Sequence, residues 1–544
     1  MVKNRKNLNI IWIIVDSVRN YKDGDKYGKL EIMEKFANES IEFTNVVTSA
    51  VSTLMSVSSM ISSKPAYYIG RDFEQFKYDK VKFPPLTDIL KSNGYQIYTI
   101  HHYPPARDKM KDILYPISSR YWPNGVNRYK IWNEKEINSI FSRLSEKGIK
   151  EPFFLYIHYD VPSGNQSTSK RVNFVLNKLK DKGIYDNSII ILCSDHGYPN
   201  PKRVKLSLKD KILEGHDLCI TDDNSLIPLM IKYPGCIKGK KIHNIVSSLD
   251  IVPTLLSLLS IAYKKQQFEG INLLEIINGQ MIDRRKLRTD TRYCFQPKRI
   301  TSLRGNKYKY INHFNSSSNN VEHFFDLKDD PSEHQNLINS TDKKIVRKIN
   351  EFKKKMVSSE KIAMGIHKEY LSRKFKELSN GINMKEKPRI LLFGSSNMPY
   401  IKIILENISR SWQDSQIDLM IKKNSSSFLE INSNKVNIIF SKLTYKDFKY
   451  RLNNIKHKKY DVVIIPLVNH LGIGYQQIFK IARKINSKRT IKVDYNMDLV
   501  TESSMWIAIL KNLKENFMAN IFDWKNFGGR LVLLAKRIIF DKYF

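Results

Sequence analysis

From the N-terminus to Leu259, short apolar runs alternate with amphipathic stretches of helical length, and most runs stop at a polar residue. Leu8 to Val15 is continuously apolar, as in a strand covered on both faces of a parallel sheet, and it ends at Asp16. A helical stretch at Lys29 to Ala37 and a strand at Ile41 to Val46 lead into TSAVSTLMSVSSM, Thr48 to Met60. There Ser52 or Thr53 is placed to cap a helix running through Ile61. Pro84 to Asn93 reads as a helix closed by Gly94, followed by a strand from Tyr95 to Ile100. Residues 101–130, rich in Pro, Arg and Tyr, read as a long loop. Phe153 to His158 is a second buried strand, Lys170 to Lys182 a lysine-rich helix, and Ser188 to Cys193 a strand entering Ser194-Asp195-His196-Gly197.

The period then changes. Between residues 285 and 330 short alternating segments, Tyr308 to Asn312 and His323 to Leu327, predict a small antiparallel sheet. Residues 341–387 read as a charged helical linker with one solvated face. From Pro388 the strands Arg389 to Phe393, Gln416 to Ile421, Val436 to Phe440, Tyr460 to Pro466 and Thr490 to Val493, with helices between them, predict a further parallel sheet. Its first turn, FGSSN, lacks the spacing of a dinucleotide fingerprint. Gly472 and Gly474 suit either a ligand approach or a plain turn, and the turn is preferred. The terminal GGRLVLLAKRIIFDKYF suits a core-packing helix, with peripheral membrane contact as the alternative.

Composition narrows the class. A chain of 544 residues needs more than one core, and no apolar run is long enough and free enough of charge to span a bilayer. The N-terminal MVKNRKNLNIIWIIVDSVRN is basic, then apolar, but the run is short and leads straight into Asp16, so it reads as a strand and not a leader. Cys193, Cys219, Cys236 and Cys294 show neither close pairing nor metal-type spacing, which with the missing leader predicts a cytoplasmic protein. The net charge of +37, from 91 Lys and Arg against 54 Asp and Glu, is spread along the chain. Such a balance attracts anionic partners, whether nucleic acid, acidic lipid or phosphorylated substrate, with an anionic small-molecule, lipid-linked or glycan ester as the expected substrate, but a biased composition is the preferred explanation. No RNA-binding signature with interleaved aromatics occurs, so specific nucleic-acid binding is not expected.

Candidate chemistry sits where the runs stop. Asp16, Asp195 and His196 fall at predicted strand ends, and Thr53 at a helix start. Two carboxylates, an imidazole and a hydroxyl make a mixed N/O site for one divalent metal, with Zn or Mn favoured and Ca or Mg possible. Beside such an ion a hydroxyl becomes a nucleophile, and the positive end of the helix suits an anionic substrate.

The order NIIWIIVDSVR, TLMSVSSMISSK, PLTDILKSNGYQIYTI, PFFLYIHYD, DNSIIILCSDHG, SLIPLMIKYPG and VSSLDIVPTLLSLLSI resembles the sulfatase branch of the alkaline phosphatase superfamily. The resemblance extends through RGNKYKYI and FFDLKDDPSEHQNL, covering roughly residues 8–340. It implies an α/β sandwich with a mostly parallel central sheet over 1–284 and a small antiparallel subdomain over 285–340. The linker 341–387 and a smaller Rossmann-like α/β domain, 388–544, complete the expected organisation. The last part resembles nucleotide-sugar glycosyltransferases or related nucleotide-binding folds only loosely. By the sulfatase resemblance Asp16, Asp195 and His196 are metal ligands, Thr53 holds the nucleophile position as a further ligand, and His216 matches a basic residue that contacts the substrate anion. His158 and His243 are further substrate-binding candidates, each also readable as an ordinary satisfied histidine.

The departures are as informative. The family signature, Cys/Ser-x-Pro/Ala-Ser-Arg, begins with a Cys or Ser that is converted to formylglycine and ends on an Arg. Here Thr53 stands at the first position and Val57 follows Ser56, so no formylglycine is expected. Ser17 replaces the second Asp of the usual pair, and VPSGNQ after Asp160 lacks the usual second histidine. A threonine nucleophile resembles the phosphoglycerol and phosphoethanolamine transferases and the phosphodiesterases of the superfamily. The expected protein is therefore a metal-dependent hydrolase or transferase of phosphate esters or diesters. Sulfate-ester hydrolysis is the alternative within the family, and a catalytically silent binding module in a glycan- or lipid-modifying system is the alternative of another class.

Overall fold

The computed structural model describes residues 8–69, 84–102, 127–131, 151–159, 165–200, 219–280, 285–291, 298–315, 321–380, 387–396, 398–421, 436–452, 455, 457–467 and 475–493. Two compact units emerge, one of residues up to 363 apart from 295–297, the other comprising those three and residues 364 onward.

The first unit is built on an eight-stranded sheet. Its strands are β1 (Asn9–Val15), β2 (Ile41–Val47), β3 (Gln96–His102), β4 (Asn127–Ile131), β5 (Phe153–Tyr159), β6 (Ser188–Ser194), β7 (Leu226–Lys232) and β8 (Lys241–Ser247). They lie in the order β4-β3-β5-β1-β6-β7-β2-β8, and only β7 runs against its neighbours. The continuous apolar run of β1 follows from its central place. Ile10, Trp12 and Ile14 enter one core, while Ile11, Ile13 and Val15 enter the other. The first core is closed by helix α2 (Thr53–Ser62), through Val57, Met60 and Ile61, and by the helix Ile251–Leu258. The second is closed by α1 (Glu31–Ala37), through Ile32, Met33 and Phe36, and by the helix Asn165–Asp181. Sheet and two helical layers thus make the expected α/β sandwich. Trp12 is wholly buried, and its Nε1 donates to Cys193 Sγ at 3.2 Å across to β6.

One sequence expectation changes here and another narrows. The loop expected over 101–130 is flanked by strand at both ends, because β3 continues to His102 and Asn127–Ile131 pairs beside it as β4; residues 103–126 lie outside the described residues. A composition rich in Pro, Arg and Tyr concealed an edge strand that needs no apolar face on both sides. Of the two capping candidates Ser52 takes the N-cap position of α2, with extended backbone and no side-chain capping bond, and Thr53 is the first helical residue.

A four-stranded antiparallel sheet follows, from β9 (Leu287–Asp290), β10 (Lys298–Arg304), β11 (Tyr308–Asn315) and β12 (Val321–Asp326), in the order β12-β11-β10-β9. One face meets Val51 and Ile220 through Ile300, Ile311 and Phe325. Most of the expected charged linker is a single helix, Lys343–Asn380. Its Ile349, Phe352 and Met356 pack on Leu303, Tyr310 and Phe324, so this stretch contributes to a core despite its lysines.

In the second unit β13 (Arg389–Phe393), β14 (Gln416–Ile421), β15 (Val436–Phe440), β16 (Lys459–Pro466) and β17 (Asn486–Val493) form an all-parallel sheet ordered β15-β14-β13-β16-β17. Gly394 is demanded at the end of β13, since a Cβ there would lie 2.2 Å from Ile421 Cγ2. Gly472, Gly474 and the terminal stretch from Gly528 lie outside the described residues. Among the described residues no helix is long and apolar enough to cross a membrane, and Cys193, Cys219 and Cys236 are free thiols.

A buried ionic cluster ties the small sheet to the segment 219–225. Asp222 meets Arg304 Nε at 3.0 Å and Lys309 Nζ at 2.9 Å, and Lys309 also meets Glu333 at 2.8 Å. Burial pushes the Asp222 carboxyl up, but Arg304 and Lys309 outweigh it and hold the group at about 2. The folded value lies below the ordinary carboxylate value, so this stabilisation is complete above about pH 4 and is lost as the pH falls toward 2. Asp222→Asn removes the carboxylate that Arg304 and Lys309 share, leaves Lys309 with Glu333 alone, and is expected to cost about 3–5 kcal/mol at neutral pH. Urea unfolding of wild type and variant should show that gap close between pH 4 and pH 2; a gap independent of pH would contradict the assignment.

Candidate metal and nucleophile site

The site forms where adjacent strands release their chains. Val15 at the end of β1 pairs with Ser194 at the end of β6, so Asp16 and Asp195 leave the sheet side by side, at the edge where parallel sheets bind ligands. Two contacts lace the loops together. Val18 N donates to Ser194 Oγ at 3.0 Å, and Ser17 N donates to Asp195 Oδ1 at 3.1 Å. The fully buried Arg19 reaches over to Tyr198 O at 3.1 Å and is neutralised by Asp23 and Asp25. Tyr27 and Tyr198 stack on the same seam with ring centroids 3.9 Å apart.

Thr53 follows β2, two strands away from β6 in the sheet. β2 runs parallel to β6 and delivers residues 48–53 to the same edge. Ser56 Oγ donates to Asp195 O at 2.6 Å, and Thr48 Oγ1 lies 2.9 Å from that carbonyl. These two hydroxyls fasten the start of α2 to the turn after β6. Gly197 fits closely against the next segment, because a Cβ there would lie 2.0 Å from Asp223 O.

The side chains converge. Asp16, Asp195 and His196 each offer a ligand atom within 4.8 Å of the others. His196 Nε2 lies 3.5 Å from Asp195 Oδ2, 3.8 Å from Asp16 Oδ1 and 3.2 Å from Thr53 Oγ1. Its Nδ1 donates to Gly197 O at 2.8 Å, which fixes the tautomer and turns the Nε2 lone pair into the cluster. Asp195 is wholly buried. Its Oδ1 accepts from the amides of Ser17 and His196, whereas its Oδ2 is buried without a hydrogen-bond partner. A bare carboxylate oxygen in the interior is costly unless a cation meets it. The donor set and this orphaned oxygen therefore fit a divalent cation held by two carboxylates and one imidazole.

The structure brings Asp16, Thr53, Asp195 and His196 together, and of the other described candidates it leaves His158 and His243 outside that group. His158, one residue before the end of β5, pairs with Ile14 of β1, and its Nδ1 lies 2.9 Å from Tyr156 Oη. His243 is on β8, three strands from β6, where its Nδ1 lies 3.0 Å from Thr44 Oγ1. Neither belongs to the converging cluster. His216 and Asp160 lie outside the described residues. Sequence reasoning did not single out Arg19, Thr48 or Ser56, which hold the loops together. Thr48 and Ser56 stand within the Ser/Thr-rich stretch around Thr53, yet only the pairing with Asp195 O tells their part from that of Ser58 or Ser59.

Comparison with known proteins places this geometry. Residues 8–170 and 163–261 match the sulfatase family, and residues 217–361 match the C-terminal region of N-sulphoglucosamine sulphohydrolase. A choline-sulfatase of Rhizobium meliloti is 27% identical over 199 residues, 34% of this chain and 35% of that protein. Lipoteichoic acid synthase 2 of Bacillus subtilis is 32% identical over 108 residues, 20% of this chain and 16% of that protein. These matches thus span about a third or less of the relatives' length. The crystal structure of a phosphonate monoester hydrolase of Agrobacterium radiobacter shares the fold, with a TM-score of 0.50 and 14% identity, over 65% of this chain and 96% of that one. The chain belongs, through residues 8–361, to the sulfatase branch of the alkaline phosphatase superfamily.

Proposed function

We propose that this protein is a metal-dependent hydrolase or transferase that cleaves a phosphate ester or phosphodiester, with Thr53 as its nucleophile. The observation that carries the reading is the Thr53 hydroxyl, 3.2 Å from His196 Nε2, which itself lies 3.5 Å from the Asp195 Oδ2 that has no hydrogen bond. Members of the family bind a divalent metal ion, and Asp16, Asp195 and His196 would hold it here. When bound, such an ion lowers the pKa of a neighbouring hydroxyl and offsets the charge of the ester. Thr53 supplies the attacking oxygen: its Oγ1 gives up its proton to solvent and bonds to phosphorus, the bond to the leaving oxygen breaks, that oxygen takes up a proton and departs as the alcohol, and a phosphothreonine results. Water completes hydrolysis of that ester, or a second alcohol completes transfer. With Thr53 as its first residue, the N-terminus of α2 would offer its positive dipole end to the anion.

Two observations favour phosphorus over sulfur. Threonine cannot yield formylglycine, so the aldehyde chemistry of sulfate-ester cleavage lacks its starting residue. The position after Ser56, where the family signature carries Arg, holds Val57, which is buried in the core beneath the sheet and presents no cation to a sulfate. Sulfate-ester hydrolysis through unmodified threonine remains the second reading, supported by the family match and by the choline-sulfatase likeness. His158 and His243 are substrate contacts in this proposal only if an extended ester reaches them, and His216 is proposed to contact the anion.

Thr53→Ala is expected to lower kcat on bis-p-nitrophenyl phosphate or p-nitrophenyl phosphate by about a thousandfold or more while the bound metal stays stoichiometric. Activity unchanged in that variant would remove Thr53 from the mechanism. A higher kcat/KM on p-nitrophenyl sulfate than on either phosphate would favour the second reading. Asp195→Asn differs from Thr53→Ala in the metal measurement: metal retained after dialysis should fall about tenfold or more, and activity should fall with it. Full metal content in Asp195→Asn would mean that the cation binds elsewhere.

A further inference from the structure

We propose that Ser17 is the positioning residue that sets both carboxylates of the metal site, through two different atoms. The inference rests on the reading that Asp16, Asp195 and His196 hold a divalent cation. Ser17 follows Asp16 directly and is buried, 6% exposed, with φ 62°, in the left-handed region that favours glycine. That turn aims two donors into one cleft. The Ser17 amide donates to Asp195 Oδ1 at 3.1 Å, and Ser17 Oγ donates to Asp16 Oδ1 at 2.5 Å.

The two bonds have different consequences. The amide, together with His196 N at 2.8 Å, occupies Oδ1 of Asp195 and so leaves Oδ2 facing His196 Nε2. The hydroxyl acts on Asp16, whose side chain is 23% exposed while that of Asp195 is fully enclosed. Asp16 thus depends more on a neighbouring donor to keep one rotamer. A glycine would take the left-handed turn without strain and supply the same amide. Only the hydroxyl gives serine an advantage here. Its value lies in orienting Asp16 without adding a third carboxylate to the cluster.

The residue can be tested with metal alone. Metal-free full-length wild type, Ser17→Gly and Ser17→Ala are titrated calorimetrically with Mn2+ and with Zn2+, and the urea midpoint of each metal-free protein is measured in parallel. Both variants keep the amide and lose the hydroxyl, so their dissociation constants should rise about ten- to a hundredfold. Ser17→Gly relieves the left-handed strain, so its metal-free midpoint should equal or exceed that of wild type. A residue that only stabilised the loop would lose affinity in step with stability, and glycine would then be the milder change. Affinities within about twofold of wild type in both variants would overturn the proposal, as would a Ser17→Gly midpoint that falls along with its affinity. Failure of the wild type itself to take up either cation would overturn the underlying metal reading, and that failure is visible before any variant is compared.

Discussion

The interaction on which the candidate site depends is the backbone grip on one oxygen of Asp195. Two amides, from Ser17 and His196, saturate Oδ1 in the interior and leave Oδ2 with no hydrogen bond. In a medium of low dielectric a half-satisfied carboxylate favours a cation strongly, and the nearest groups are another carboxylate and an imidazole whose lone pair faces inward. The parallel register of β1 and β6 creates this arrangement, because it releases Asp16 and Asp195 from paired positions.

The surrounding fold keeps that arrangement fixed. Hydroxyls of Thr48 and Ser56 meet the Asp195 carbonyl, so the helix bearing Thr53 is registered against the same turn that bears His196. Arg19, buried and neutralised, performs a similar service between the loops after β1 and β6. The small sheet is secured to the segment behind Gly197 by the Asp222, Arg304, Lys309 and Glu333 cluster. Polar contacts of this sort add little net stability each, but together they restrict the geometry that a metal and a nucleophile require.

Much of this was legible in the chain itself. Strands buried on both faces become uninterrupted apolar runs, which is why β1, β5, β6 and β13 could be read nearly to the residue, and the polar residue ending each run marked the functional edge. Asp16, Asp195 and His196 were legible for that reason, whereas Thr53 was marked by a helix start and by the family resemblance. An edge strand such as β4 carries no such run, and the helix Lys343–Asn380 hides its buried Phe352 and Met356 among lysines. Ser17 was noticed only as a departure from a family pattern; its left-handed backbone and its two donors belong to tertiary structure. Likewise, one serine among the many between Ser49 and Ser63 acquires a part only once its partner 139 residues away is known.

The central claim is that an ester is passed through the oxygen of Thr53. It is tested most directly by quenching the metal-loaded protein during turnover of an aryl phosphate, digesting it, and examining the peptide containing Thr53 by 31P NMR and mass spectrometry. The account predicts phosphothreonine at that position, formed at a rate compatible with turnover. Steady turnover of the ester with Thr53 unlabelled throughout would contradict it.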